Sequence, residues 1–191
     1  MYNEYMDKLV ESLRNAKVYK GSTELTDYEA GMTELMAMFL ETKRSQKKLM
    51  FVGNGGSAAI ATHMTTDFMK NGRMRVCSLM EGSVLTCMGN DYGYEYVFSK
   101  QIELLGSTDD LLVAISSSGN SKNITNAIEA ARAKGMKVIT LSGFQPDNKI
   151  KAMGDLNVYV GIAHYGIVES AHISILQQVV DEILAIDGAE A

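Results

Sequence analysis

The sequence predicts an α/β protein in which a five-stranded parallel sheet is sandwiched by helices, behind an N-terminal helical lead-in. From Lys48 onward, short β-rich apolar runs alternate with helical stretches, the pattern of βαβ units. Runs such as Leu111-Leu112-Val113-Ala114-Ile115 are nearly continuous in apolar residues, as strands covered on both faces are. Ahead of Lys48, apolar residues recur at helical spacing and no strand is expected.

In the lead-in, Leu9, Leu13 and Val18, followed by residues 25–46 with Met32, Leu35, Met36, Met38, Phe39 and Leu40, predict two amphipathic helices joined at Gly21-Ser22-Thr23. This segment has more apolar surface than a solvated tail needs. Residues 1–47 are therefore expected to pack on the core and in an oligomer interface, with 48–191 forming the sheet domain of a single structural unit. Strands are predicted at 49–52, 76–80, 111–116, 137–142 and 156–161. Helices are predicted at 58–70, at 83–88 with 95–105, at 123–134 and at 167–186, with a short turn at 149–153.

Composition narrows the class of function. The 191 residues carry a net charge of −5, with 46% hydrophobic residues, which suits one globular domain and argues against a nucleic-acid binder. Cys77 and Cys87 are too few and too poorly patterned for a disulfide framework or a zinc site. No stretch has the length and apolarity of a membrane span, and the first residues lack the pattern of a signal peptide, so a cytoplasmic protein without a membrane partner is expected.

The most informative segment is Ser116-Ser117-Ser118-Gly119-Asn120-Ser121, which ends an apolar strand and opens a helix. Hydroxyls and free backbone N–H groups converge at such a junction, and the positive end of the helix dipole favours a dianion. Serine is also a preferred helix N-cap, so a lone serine here would mean only a capped turn. Four serine hydroxyls around one glycine, at the strand end where open α/β sheets bind ligands, favour a phosphate cradle.

After the first predicted strand comes Gly53-Asn54-Gly55-Gly56-Ser57-Ala58, which satisfies the G-x-G-x-x-G/A dinucleotide fingerprint. The ribose-binding acid of that motif is expected about 20 residues on, whereas Glu81 lies further along. The second loop at 116–121 would also have no role in a standard dinucleotide site. Here the glycines serve a small ligand better, by letting backbone N–H groups approach it.

Gly53-Asn54-Gly55-Gly56-Ser57, Gly89-Asn90-Asp91-Tyr92-Gly93 and Ile115-Ser116-Ser117-Ser118-Gly119-Asn120-Ser121 together resemble the sugar isomerase (SIS) domain family, and within it the phosphoheptose isomerases. The likeness continues through the run from Ala130 to Gly143 and into the last helix, covering almost the whole chain. The resemblance implies a flavodoxin-like sheet, a homotetramer with active sites between subunits, and a phosphosugar substrate. The implied reaction converts sedoheptulose 7-phosphate to D-glycero-D-manno-heptose 7-phosphate through an enediol. Ser116, Ser117, Ser118 and Ser121 match phosphate-binding positions, and Asn54, Gly55, Gly56, Ser57, Asn90 and Asp91 match positions that line the substrate.

Moving a carbonyl between C1 and C2 requires a base beside the substrate and an acid or metal at its oxygens. His63 and Asp67, spaced i,i+4, share one helix face. Glu169 and His172, spaced i,i+3, lie on the last helix, with Gln177 two turns beyond Glu169. The family usually has His, Glu, Gln and His at the positions of His63, Asp67, Glu169 and Gln177, and this chain keeps only the first. The acid–base set is thus redistributed: Glu169 or Asp67 is expected as base, with His63 donating to a substrate oxygen or binding a metal. No cofactor is required by the residues alone, but the resemblance allows Zn2+ on His63, Asp67, Glu169 and Gln177. His172 is expected as a hydrogen-bonded core residue, and His164 is left open between site and solvent. The loss of the second histidine keeps two alternatives in view: an isomerase of another phosphosugar, and a non-catalytic SIS-domain protein associating with a replication initiator.

Overall fold

The computed structural model describes residues 2–188. Its centre is a seven-stranded sheet in the order β2-β1-β7-β6-β5-β3-β4. The strands are β1 (Lys17–Lys20), β2 (Thr23–Glu24), β3 (Lys48–Gly53), β4 (Arg75–Ser78), β5 (Leu111–Ser116), β6 (Lys137–Gly143) and β7 (Leu156–Val160). β3 to β7 run parallel, as predicted. Seven α-helices accompany them: α1 (Tyr2–Arg14), α2 (Tyr28–Arg44), α3 (Gly56–Lys70), α4 (Gly82–Tyr92), α5 (Ser99–Leu105), α6 (Lys122–Ala133) and α7 (Tyr165–Ile186).

Alternating strand residues feed two core layers. Leu49, Phe51, Leu111, Val113 and Ile115 pack with Phe39 of α2, Phe68 of α3 and Ile175 of α7. Met50, Val52, Leu112 and Ala114 face the other way, onto Ile102 of α5 and Ile124 and Ile128 of α6. Because both faces are covered, β5 is buried at every residue, which is why it reads as a continuous apolar run.

The lead-in departs from expectation. Instead of two helices meeting at Gly21, a β-hairpin lies between them, and β1 pairs antiparallel with β7, setting Val18 against Val158. Gly21, at φ +60°, makes the turn. A four-residue strand with Val18 as its one fully buried side chain has too short a pattern to be seen in sequence. α2 starts at Tyr28 because Asp27 caps it, the Asp27 carboxylate accepting from the Ala30 N–H at 2.7 Å.

Candidate functional site

The sheet order places β4 on one side of β3 and β5 on the other, so the chain leaves β3 and β5 in opposite directions. The loops after these two strands flank the switch point, where parallel sheets open a crevice for ligands. A cavity of about 120 Å3 lies there, lined by the predicted Asn54, Ser57, Ser116, Ser117, Ser118, Ser121 and Glu169, with Ile115 and Tyr165. A wider groove of about 570 Å3, near Lys20, Lys47 and Asp155, lies at the opposite ends of the strands and contains no serine loop.

The serine loop is built to keep hydroxyls free. Ser121 is the N-cap of α6, and its carbonyl accepts from the N–H groups of Ile124 and Thr125, but its side chain caps nothing. The plain capping role is thus excluded for this serine. Ser117 Oγ is buried without a hydrogen-bond partner among the described residues. Ser116 Oγ accepts from the Gly119 N–H at 3.2 Å. Gly119 turns the chain at φ +65°, and a side chain there would collide with Asn148. Asn148 is itself anchored through its amide N–H groups to the carbonyls of Gly143 and Gln145. The following single turn of 3-10 helix, Lys149–Ala152, closes on the loop through Ile150 N–H to Gly119 O and Lys149 N–H to Asn120 Oδ1.

In the first loop, Gly55 has φ +54° and ψ −122°, a conformation open only to glycine, and it starts α3. Asn54 is held by a reciprocal amide pair with Asn123, both bonds 2.8 Å long, and its Oδ1 also accepts from Tyr94 Oη at 2.9 Å. The Glu169 carboxylate from α7 occupies the space a side chain on Gly56 would take, which brings it over the first turn of α3.

His63, Asp67 and Gln177 form a second group on the seam of α3 and α7. Asp67 Oδ2 lies 3.2 Å from His63 Nε2 and accepts from Gln177 Nε2 at 3.1 Å. Gln177 Oε1 is buried and unpartnered among the described residues. Eight residues separate Glu169 from Gln177, about 12 Å of helix rise. Among the described residues no three His, Cys, Asp or Glu side chains gather as a metal-binding cluster.

Asn90 and Asp91 lie outside the cleft of their own chain. They are exposed on the last turn of α4, where Asn90 Nδ2 donates to Asp91 Oδ1 at 2.8 Å. His172 is fully buried, as expected of a core histidine, with Nε2 3.1 Å from Ser142 O, and burial pushes its pKa down to about 4. His164 caps α7, its Nδ1 accepting from the Ile167 N–H at 3.4 Å. Sequence reasoning missed Asn123, Tyr94 and Tyr165. Asn123 stands two residues beyond Ser121, where a buried amide in a first helical turn could have been suspected. Tyr94 meets Asn54 across 40 positions and left no local signal.

A family model described as SIS domain matches residues 9–143. The phosphoheptose isomerase of Campylobacter concisus is 40% identical over 156 residues, 76% of this chain and 81% of that one. The structure of the phosphoheptose isomerase from Neisseria gonorrhoeae superposes with a TM-score of 0.82 at 31% identity, covering 95% of this chain and 94% of that one. A phosphoheptose isomerase structure from Francisella tularensis gives 0.82 at 26% identity, with 95% of each chain covered. On this likeness of sequence, fold and switch-point loops, the chain belongs to the SIS domain family and, within it, to the phosphoheptose isomerase-like members.

Proposed function

We infer that the chain is an aldose–ketose isomerase converting sedoheptulose 7-phosphate to D-glycero-D-manno-heptose 7-phosphate. The observation that carries this reading is the serine loop, whose Ser117 hydroxyl is buried without a partner and whose Ser121 hydroxyl is not used as a cap, facing Glu169 across one cleft. In this scheme Ser116, Ser117, Ser118 and Ser121, with the N-terminus of α6, bind the phosphate. Asn54, Gly55, Gly56 and Ser57 meet the sugar.

Glu169 takes a proton from C1 of the ketose. The electron pair forms the C1–C2 double bond of the enediol while O2 gains a proton. The same carboxyl then returns its proton to C2 while O1 gives its proton back to the group that protonated O2 and becomes the aldehyde oxygen. Glu169 is favoured over Asp67 because it lines the cleft, whereas Asp67 is held by Gln177 and His63. His63 is assigned as donor to a substrate oxygen.

The unpartnered Gln177 Oε1, beside the Asp67 carboxylate and His63 Nε2, offers donors that fit a divalent cation such as Zn2+, whereas Glu169, in the serine-loop cleft, stands apart from this set. Such an ion, when bound, supplies Lewis-acid polarisation of a substrate oxygen. We further propose a cytoplasmic homotetramer with active sites at subunit interfaces. Two features support the assembly: α1 buries none of its residues, and Asn90 and Asp91 lie away from their own chain's cleft.

Proton NMR of sedoheptulose 7-phosphate incubated with the protein in deuterated water tests the reaction. New anomeric signals and deuterium at C1 are expected, and binding without either would overturn it. Glu169→Gln is expected to lower kcat by about 10²- to 10⁴-fold, the range of a lost acid–base group. If Asp67→Asn alone did so, the base would be Asp67.

A further inference from the structure

An asparagine side chain has two N–H donors and two acceptor lone pairs. At Asn54 both lone pairs are engaged, by Tyr94 Oη at 2.9 Å and Asn123 Nδ2 at 2.8 Å. One N–H goes to Asn123 Oδ1, which leaves a single N–H on a residue that lines the cleft. The Asn54–Asn123 pair would look the same if both amides turned over, so it does not by itself select which atom faces the ligand. Tyr94 biases that symmetry, because a phenol hydroxyl is a stronger donor than acceptor, which favours the orientation with Asn54 Oδ1 facing it.

The position of Tyr94 suits this task. Its single 3-10 turn, Tyr94–Tyr96, is fastened to α6 by Asn126 Nδ2 donating to Glu95 O at 2.9 Å, on the same helix that carries Asn123. Its side chain is otherwise largely free, the residue being 63% exposed.

We propose that Tyr94 is a positioning residue that turns the Asn54 amide so that an N–H, and not its carbonyl, meets a sugar oxygen in the cleft. This rests on the phosphosugar reading above and assigns Tyr94 to the sugar end of the ligand, apart from the phosphate. The hydroxyl alone is removed in Tyr94→Phe, and dissociation constants for sedoheptulose 7-phosphate and for inorganic phosphate are measured beside KM and kcat.

The sugar phosphate Kd and KM are expected to rise about fivefold, the scale of one neutral hydrogen bond, with the inorganic phosphate Kd unchanged. In an Asn54→Ala background the Tyr94→Phe change should be silent, since Tyr94 acts through Asn54. An unchanged sugar phosphate Kd, an equal loss for both ligands, or a further loss in the Asn54→Ala background overturns the proposal. Wild-type protein that binds the sugar phosphate without isomerising it overturns the proposed reaction instead, and the ratio of the two Kd values still decides the role of Tyr94.

Discussion

Ser117 holds a hydroxyl inside the protein with nothing to bond to among the described residues. Because an unsatisfied buried hydroxyl costs stability, Ser117→Ala should leave Tm level or raise it. A hydrogen bond to a charged phosphate is lost in the same change, so KM should rise about tenfold or more; an unchanged KM in steady-state kinetics would remove Ser117 from the phosphate site. His172 carries a pH dependence. Its folded pKa of about 4 lies below the ordinary 6.5, so between these values the unfolded chain binds a proton that the native state refuses. This stabilisation is complete above the unfolded value and is lost as pH falls toward 4. Urea denaturation should show about 2 kcal/mol less stability at pH 5 than at pH 7 from this residue alone. His172→Gln should lack that component, and an equal pH slope in both proteins would show that His172 is not its source. Asn54, Ser117 and Glu169 could be picked out in the sequence because glycine and serine loops and i,i+3 spacing are local signals. The Asn54–Tyr94 bond could not, because neither residue type nor spacing encodes a contact made across 40 positions.

At the scale of elements, the hairpin and α2 meet at a close approach. A side chain on Gly31 of α2 would collide with Val18 of β1. Overpacking a stiff β-branched neighbour costs about 1–3 kcal/mol, against about 1 kcal/mol gained in helix propensity. Gly31→Ala should therefore lower Tm in the wild type and raise it in a Val18→Ala background, a sign reversal that thermal denaturation reads directly. If Gly31→Ala lowered Tm equally in both, the contact would not be the cause. The buried strands and long helices were legible because each shows its own period over many residues: β5 is apolar throughout, and Ile167, Ala171, Ile175 and Val179 recur along α7. β1 was illegible because its side chains alternate over only four positions, and what makes it a strand is the free edge of β7.

At the scale of the whole molecule, α1 leaves an apolar face uncovered. None of its residues is buried, and Tyr2, Met6 and Val10 are exposed at 86%, 56% and 40%. A homo-oligomer is expected from this face. Met6→Lys with Val10→Lys should lower the mass seen by analytical ultracentrifugation while the monomer fold persists by circular dichroism. An unchanged mass would place the interface elsewhere. The parallel α/β core, the two switch-point loops and the residue types that can do acid–base work were legible before any packing was known, because hydrophobic period and turn chemistry are written locally. The tertiary structure alone decided that Glu169 joins the serine loop while Asp67 pairs with Gln177, and that Tyr94 reaches Asn54. Those choices follow from how α7 and the segment after α4 pack on the sheet, and packing depends on every surface at once.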